Sequence, residues 1–169
     1  MASMASLIGF PAVVNEKAAR VVAAGVVVIT AVTLATGWLW LAAVLALGFA
    51  LRVAAGPRFS PLGRFAVGVV APRLGDPRMV SGAPKQFAQG VGLVFTLAAT
   101  VALALGAPVV TVVLLSVLLV FASLEAFVGF CAGCFVFGQL IRLGVVADDT
   151  CVECADISLR RRSREPVAG

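Results

Sequence analysis

Val21–Leu51, VVAAGVVVITAVTLATGWLWLAAVLALGFAL, holds no charged residue. As one straight helix it would reach roughly 46 Å at 1.5 Å per residue, whereas the hydrocarbon core of a bilayer is only ~30 Å thick. The run is therefore expected to fold back on itself. Thr36-Gly37-Trp38 is the best break, with Trp38 and Trp40 suited to a membrane interface. This predicts helix 1 over 18–36 and helix 2 over 38–55. A second uncharged run, Gln86–Leu124, would span roughly 58 Å. It is broken near its middle by Gly106-Ala107-Pro108, because proline removes a donor and clashes with the preceding turn. Helix 3 is expected over 86–105 and helix 4 over 108–131, continuing out of the membrane toward Leu143.

Composition agrees. Hydrophobic residues make up 62% of the 169 and charged ones only 12%, and mean hydropathy is +1.11. Soluble domains are nearer half apolar and a quarter charged. One small core cannot hide that excess, so lipid must solvate it, and backbone facing lipid must be helical or a closed barrel. Continuous rather than alternating apolar runs favour helices. The N-terminal segment has no basic stretch ahead of its apolar residues and does not read as a signal peptide. The expected fold is an all-α membrane protein of four transmembrane helices in two hairpins. Its parts are an N-terminal segment (1–17), hairpin 1 (18–55), a basic Pro-rich segment (56–85), hairpin 2 with a CxxC at its cytoplasmic end (86–143) and a polar tail (144–169).

Pro57, Pro61, Pro72, Pro77 and Pro84 crowd the central segment with Arg58, Arg64, Arg73, Arg78 and Lys85. Ser60-Pro61 reads as an N-cap with proline at the first helical position. Leu62, Phe65, Ala66 and Val69 follow at helical spacing. A short helix in the membrane surface and an irregular loop are both open here. The 13 Lys and Arg, of a chain with net charge +5, cluster in three places: Lys17 and Arg20; Arg52 through Lys85; and Arg142 with Arg160, Arg161, Arg162 and Arg164. The two expected tight turns carry none. Four crossings put all three clusters on one side, which the positive-inside rule makes cytoplasmic, both termini included. The arginines of 160–164 suit anionic lipid headgroups or a plain solvated flank. No nucleic-acid partner is expected, and no small-residue motif singles out a face for self-association, although so small a bundle could form an oligomer.

With no His and no Tyr, His-ligated haem, His-containing zinc sites and a Ser-His-Asp triad are excluded. The four cysteines form two pairs, Cys131-Ala132-Gly133-Cys134 and Cys151-Val152-Glu153-Cys154. A CxxC holds two sulfurs within one turn, close enough to become a disulfide or to chelate one metal. Two pairs at this separation fit a four-Cys zinc site, in which Cys131, Cys134, Cys151 and Cys154 would clamp the tail to helix 4 as a structural clip. The rival is thiol redox or sulfur transfer, with a thiolate of one pair attacking a disulfide or persulfide and passing the load to the other. An iron–sulfur cluster needs the same four residues. Helix 4 would present its C-terminal end to Cys131, whose dipole does not help ionise a thiol.

Glu125 is the one acid within the spans, a functional candidate by position. Arg52 is its expected partner, as an ion pair joining the hairpins; proton exchange with the thiols is the sharper alternative. Within one continuous helix, neither Cys131 nor Cys134 shares a face with Glu125. The phenylalanines Phe127, Phe130, Phe135 and Phe137 read as packing or interface residues.

Several pieces together resemble a bacterial family labelled domain of unknown function 4395. These are Asn15-Glu16 and Arg20, Arg52, Pro57, Ser60-Pro61, Gly82-Ala83-Pro84-Lys85 with Phe87-Ala88, and above all Glu125-Ala126-Phe127 leading into Gly129-Phe130-Cys131-Ala132-Gly133-Cys134. The resemblance runs nearly the whole chain. It implies a polytopic protein of the bacterial cytoplasmic membrane. It also implies a second cysteine pair near the C-terminus, where Cys151 and Cys154 stand. Some relatives carry a longer, glycine-rich gap there, which counts against a rigid zinc site. Association of the family with thioredoxin-like and rhodanese-like proteins implies thiol or sulfur chemistry. The expected function is thiol or sulfur handling at the cytoplasmic face, with Cys131 and Cys134 as core pair and Cys151 and Cys154 as relay. The alternative is a non-enzymatic scaffold with structural zinc. A transporter relying on Glu125 and Arg52 is a third.

Overall fold

The computed structural model describes residues 11–56 and 59–144. Helix dominates, as the composition requires. Asn15 caps α1 (Glu16–Thr36), its side chain accepting from the Lys17 N–H at 3.0 Å, and Gly37 ends it at φ 71°. Thr33 and Thr36 bond back to the carbonyls of Ile29 and Val32 at 2.7 Å each, which satisfies their hydroxyls inside an apolar environment. After the Gly37-Trp38-Leu39-Trp40 turn, α2 (Leu41–Ala55) returns and stops at Gly56. Gly106 (φ 75°) and Pro108, at the first position of α5, make the turn between α4 (Gly82–Ala104) and α5 (Pro108–Ser123).

Between the hairpins, Pro61–Phe65 forms a short helix, α3, continued by a wider π turn over Ala66–Val70 and a 3₁₀ turn over Ala71–Leu74. The segment is thus helical rather than irregular. Leu62 seats against Gly25 of α1, where a Cβ would lie 2.5 Å from its Cδ1. Ala66 is buried, while Phe65, Val67 and Val69 remain outside.

One element was not anticipated. Val13–Asn15 (β1) pairs antiparallel with Met79–Ser81 (β2), in the register Val13 to Ser81 and Asn15 to Met79. The ribbon is secured by the Gly82 N–H to the Ala12 carbonyl (2.7 Å), the Glu16 N–H to the Arg78 carbonyl (2.8 Å) and the Arg78–Glu16 ion pair (3.0 Å). A Cβ at Gly82 would fall 2.0 Å from the Pro11 carbonyl oxygen, so only glycine opens α4 at this distance. Strand-length segments this short carry no alternation to read.

The core lies among α1, α2, α4 and α5: Val26, Ala42, Leu45, Phe49, Ala99, Leu115, Leu118 and Ala122. Buried Thr111 bonds the Ala99 carbonyl at 2.9 Å and ties α5 to α4. The outward faces are apolar too, with Val28, Leu47, Val94, Val101, Val109, Val113 and Val120 all exposed. A water-soluble bundle would turn polar faces outward. Three helical stretches, Glu16–Thr36, Gly82–Ala104 and Pro108–Val128, are long and apolar enough to cross a membrane. At 15 residues, α2 is shorter than the other three.

Helix 4 does not run on to residue 131 as expected. It widens into a π turn over Leu124–Val128 and stops at Gly129, at φ 75°. A separate helix, α6 (Ala132–Arg142), starts after two intervening residues and packs on the first turns of α4 through Phe137 and Ile141 against Ala83 and Phe87. No proline marks this break. In the sequence it is marked only by Gly129, in a conformation that L residues enter at a cost.

Candidate functional site

The break decides the chemistry of the first cysteine pair. Cys131 is the N-cap of α6, in extended backbone (φ −93°, ψ 103°), and its sulfur accepts the Cys134 N–H at 3.2 Å. The expected arrangement is reversed: Cys131 meets the positive end of a helix, where a thiolate is favoured. Gly133 permits it, since a Cβ there would sit 2.6 Å from the Ala88 Cα; α6 and α4 touch backbone to backbone at this point. Arg20 holds the other side of the bend. Its Nε donates to the Ala126 carbonyl at 3.2 Å and its Nη2 to the Phe127 carbonyl at 2.9 Å. Those carbonyls are released by the end of the preceding helix and need partners.

Glu125 does not pair with Arg52. Its Oε1 accepts from Lys85 Nζ at 2.6 Å, with side-chain exposures of only 15% and 11%. Arg52 instead donates through Nε to Gln89 Oε1 (2.8 Å) and through Nη1 to buried Ser60 Oγ (3.2 Å), and lies 4.4 Å from the Phe49 ring centroid. Arg52 thus joins α2 to α4 and to the start of α3, while Lys85 joins α4 to the end of α5. The charge positions along the chain were legible, but the choice between two cations at similar depth was not. That choice depends on which side of α5 carries Glu125 after the π turn shifts its register.

The π turn and the Gly129 reversal also bring Glu125 to the thiols, contrary to the single-helix geometry. Glu125 and Lys85 both act electrostatically on Cys131 and Cys134. The hydrogen bond from the Cys134 thiol holds Cys131 below the ordinary thiol range. Lys85 and the Cys134 N–H assist, and burial and Glu125 oppose. Cys134 is pushed well above that range by the same hydrogen bond, by burial and by the charge on Cys131. The two sulfurs thus divide the roles that a dithiol needs, one ionised first and the other keeping its proton.

Cys131 is buried, 6% exposed. It lines a cavity of about 180 Å³ together with Gln89 and Glu125, walled by Phe49, Phe95 and Phe121. Of the phenylalanines around the pair, Phe137 packs on Phe87 with centroids 5.6 Å apart, Phe130 lies 6.1 Å from Phe135, and Phe127 stands 72% exposed. Cys151 and Cys154 lie outside the described residues. Among the described residues, no group of three or more His, Cys, Asp or Glu side chains is placed to hold a metal.

The profile of the family described as Domain of unknown function (DUF4395) matches residues 14–142. The chain belongs to this family. The DUF4395 match runs from β1 through α6. It takes in Arg20, Arg52, Lys85, Gln89, Glu125, Cys131 and Cys134, and ends before Cys151. No curated protein and no solved structure matches the chain.

Proposed function

We propose that this DUF4395 member is a multi-pass protein of the bacterial cytoplasmic membrane that performs thiol–disulfide exchange, or the related transfer of sulfane sulfur, through Cys131 and Cys134. In this reading α1, α2, α4 and α5 all cross the bilayer. The short α2 is accommodated by local thinning and by the interfacial Trp38 and Trp40 at its start. The turns at Gly37 and Gly106 face outward. Lys17, Arg20, Arg52, Lys85 and Arg142 share the opposite, cytoplasmic side with both termini.

The observation that carries the reading is the Cys131 sulfur at the N-cap of α6, bonded by the Cys134 N–H and set beside the Lys85–Glu125 pair. Inert core cysteines need none of these features. A thiolate at Cys131 attacks an incoming disulfide. Cys134 then gives up its proton and closes the intramolecular disulfide, releasing the bound partner as a thiol. Cys151 and Cys154 pass the oxidising equivalents to or from a thioredoxin-like or rhodanese-like partner.

The test is trapping. With Cys134→Ser, Cys131 should accumulate as a mixed disulfide on incubation of membranes with oxidised glutathione, whereas the unaltered chain should form the Cys131–Cys134 disulfide. Thiols in both proteins that stay free under oxidant overturn the proposal. Zinc content near one per chain, lost on replacing either cysteine pair by serine, would transfer the site to the structural-clip alternative.

A further inference from the structure

The cavity at Cys131 is built of α1, α2, α4, α5 and α6, and it opens sideways. Val91, Phe121 and Val136 line it, yet each is exposed on the outer surface. They therefore form its rim, on helices whose outward faces are apolar. An apolar occupant can enter across this rim from the hydrocarbon. The walls are Phe49, Phe95 and Phe121, and three groups at the cytoplasmic end can do chemistry: the Cys131 sulfur, the Glu125 carboxyl and the Gln89 side chain. Arg52 Nε occupies Gln89 Oε1 at 2.8 Å, which leaves the amide NH₂ to donate. A hydrogen-bond donor, a thiolate and a proton carrier thus converge on an aromatic slot. An apolar cavity of ~150 Å³ takes up benzene, so about 180 Å³ accommodates a six-membered ring.

We propose that this cavity takes the ring of a lipid-soluble quinone and that the Cys131–Cys134 dithiol reduces it. The proposal rests on the thiol-exchange reading and names the electron acceptor. Gln89 donates to a ring carbonyl, and the isoprenoid or alkyl tail leaves between Val91, Phe121 and Val136. The two sulfurs together lose two electrons and form one S–S bond. The quinone gains two electrons and two protons and becomes the quinol. One proton comes from the Cys134 thiol. The other, which Cys131 gave up on ionising, returns from the aqueous side through Lys85 and Glu125. Electrons from cytoplasmic thiols thereby enter the membrane.

The experiment uses the full chain with Cys151→Ser and Cys154→Ser, in lipid nanodiscs, reduced and freed of reductant. The probe is a benzoquinone with a fully substituted ring and a ten-carbon tail, which cannot add thiols to the ring. Quinol is followed by absorbance and free thiols by mass spectrometry. The expected result is one quinone reduced for each pair of thiols lost, abolished by Cys131→Ser. Val136→Trp, on the exposed rim, should lower the rate with quinone at least about tenfold relative to the rate with oxidised glutathione, by excluding the positioned ring. If glutathione oxidises the pair but the quinone does not, the quinone proposal fails and the thiol reading stands. If neither does, both fail. Equal slowing of both oxidants in Val136→Trp, with the unfolding temperature retained, overturns the cavity assignment.

Discussion

Cys131 and Cys134 are three residues apart and electrostatically unlike. The hydrogen bond from Cys134 holds Cys131 below the ordinary thiol range, so its alkylation by iodoacetamide should persist to a lower pH than that of an ordinary thiol. Because the Cys134 thiol is the main support of that charge, Cys134→Ala should move the midpoint of the rate–pH profile upward. Glu125→Gln should move it downward, since the carboxylate opposes ionisation of Cys131. Site-resolved mass spectrometry of alkylation between pH 5 and 10 checks both directions. A Cys134→Ala profile that coincides with the unaltered one would remove the assigned hydrogen bond from the mechanism. The Lys85–Glu125 pair carries a different prediction. Lys85→Met leaves a buried carboxylate without its cation and should cost about 3–5 kcal/mol, whereas Lys85→Met with Glu125→Leu should cost much less, since replacing both charges by apolar groups is often near neutral. Unfolding of the three proteins in detergent compares them. Equal losses in the single and double variants would mean that packing, and not the stranded charge, accounts for the effect.

The helices divide into those whose ends are visible in the sequence and one whose end is not. Gly37 and the Gly106-Ala107-Pro108 turn announce themselves because glycine reaches positive φ freely and proline cannot continue a helix. Pro61 starts α3 because its fixed φ suits the first helical position, although the Ser60 side chain makes no cap bond and accepts from Arg52 instead. The end of α5 has no such mark. Ala126-Phe127-Val128 continues the apolar run, and Gly129 looks like one more small residue in a membrane helix. Its conformation is set from outside, by Arg20 more than a hundred residues earlier in the chain donating to the carbonyls of Ala126 and Phe127. The Cys131 environment depended on that contact and so could not be read locally, although the cysteines themselves could. Gly129→Ala should therefore cost about 1–2 kcal/mol for a left-handed alanine and disturb the bend. Its sharper readout is an upward shift of the Cys131 alkylation midpoint as the N-cap geometry loosens. Arg20→Ala should shift it the same way, and Arg20→Lys should restore it in part. If Gly129→Ala lowers stability and leaves the midpoint in place, the bend serves the fold and not the thiol.

At the scale of the whole molecule, the placement of charge predicts orientation. In a cysteine-free background, single cysteines at Gly37 and Gly106 should be labelled by an impermeant maleimide from outside intact cells, and cysteines at Arg78 and Leu143 only after lysis. Labelling of Gly37 and Gly106 on opposite sides would remove α2 as a crossing and leave the three helices of full length. The same scale explains why composition alone points to membrane-length apolar helices. Exposed Val28, Leu47, Val94, Val109 and Val120 give α1, α2, α4 and α5 apolar outward faces, and that excess shows in the residue counts before any position is known. Partner choice among charges needs the assembled bundle, which is why Lys85 entered the site only with the structure.

The β1–β2 ribbon binds the stretch leading into α1 to the stretch leading into α4. During synthesis, β1 emerges first, and its partner strand is made only after α1, α2 and the whole intervening segment have left the ribosome. In the proposed topology the first hairpin therefore enters the bilayer with its leading edge unfastened, and it is locked when the second hairpin arrives. Arg20 waits longer still, for the bend beyond α5. The thiol pair is thus among the last features to take shape, and under the proposed thiol function a chain truncated or stalled before the second hairpin would insert without acquiring a competent cysteine.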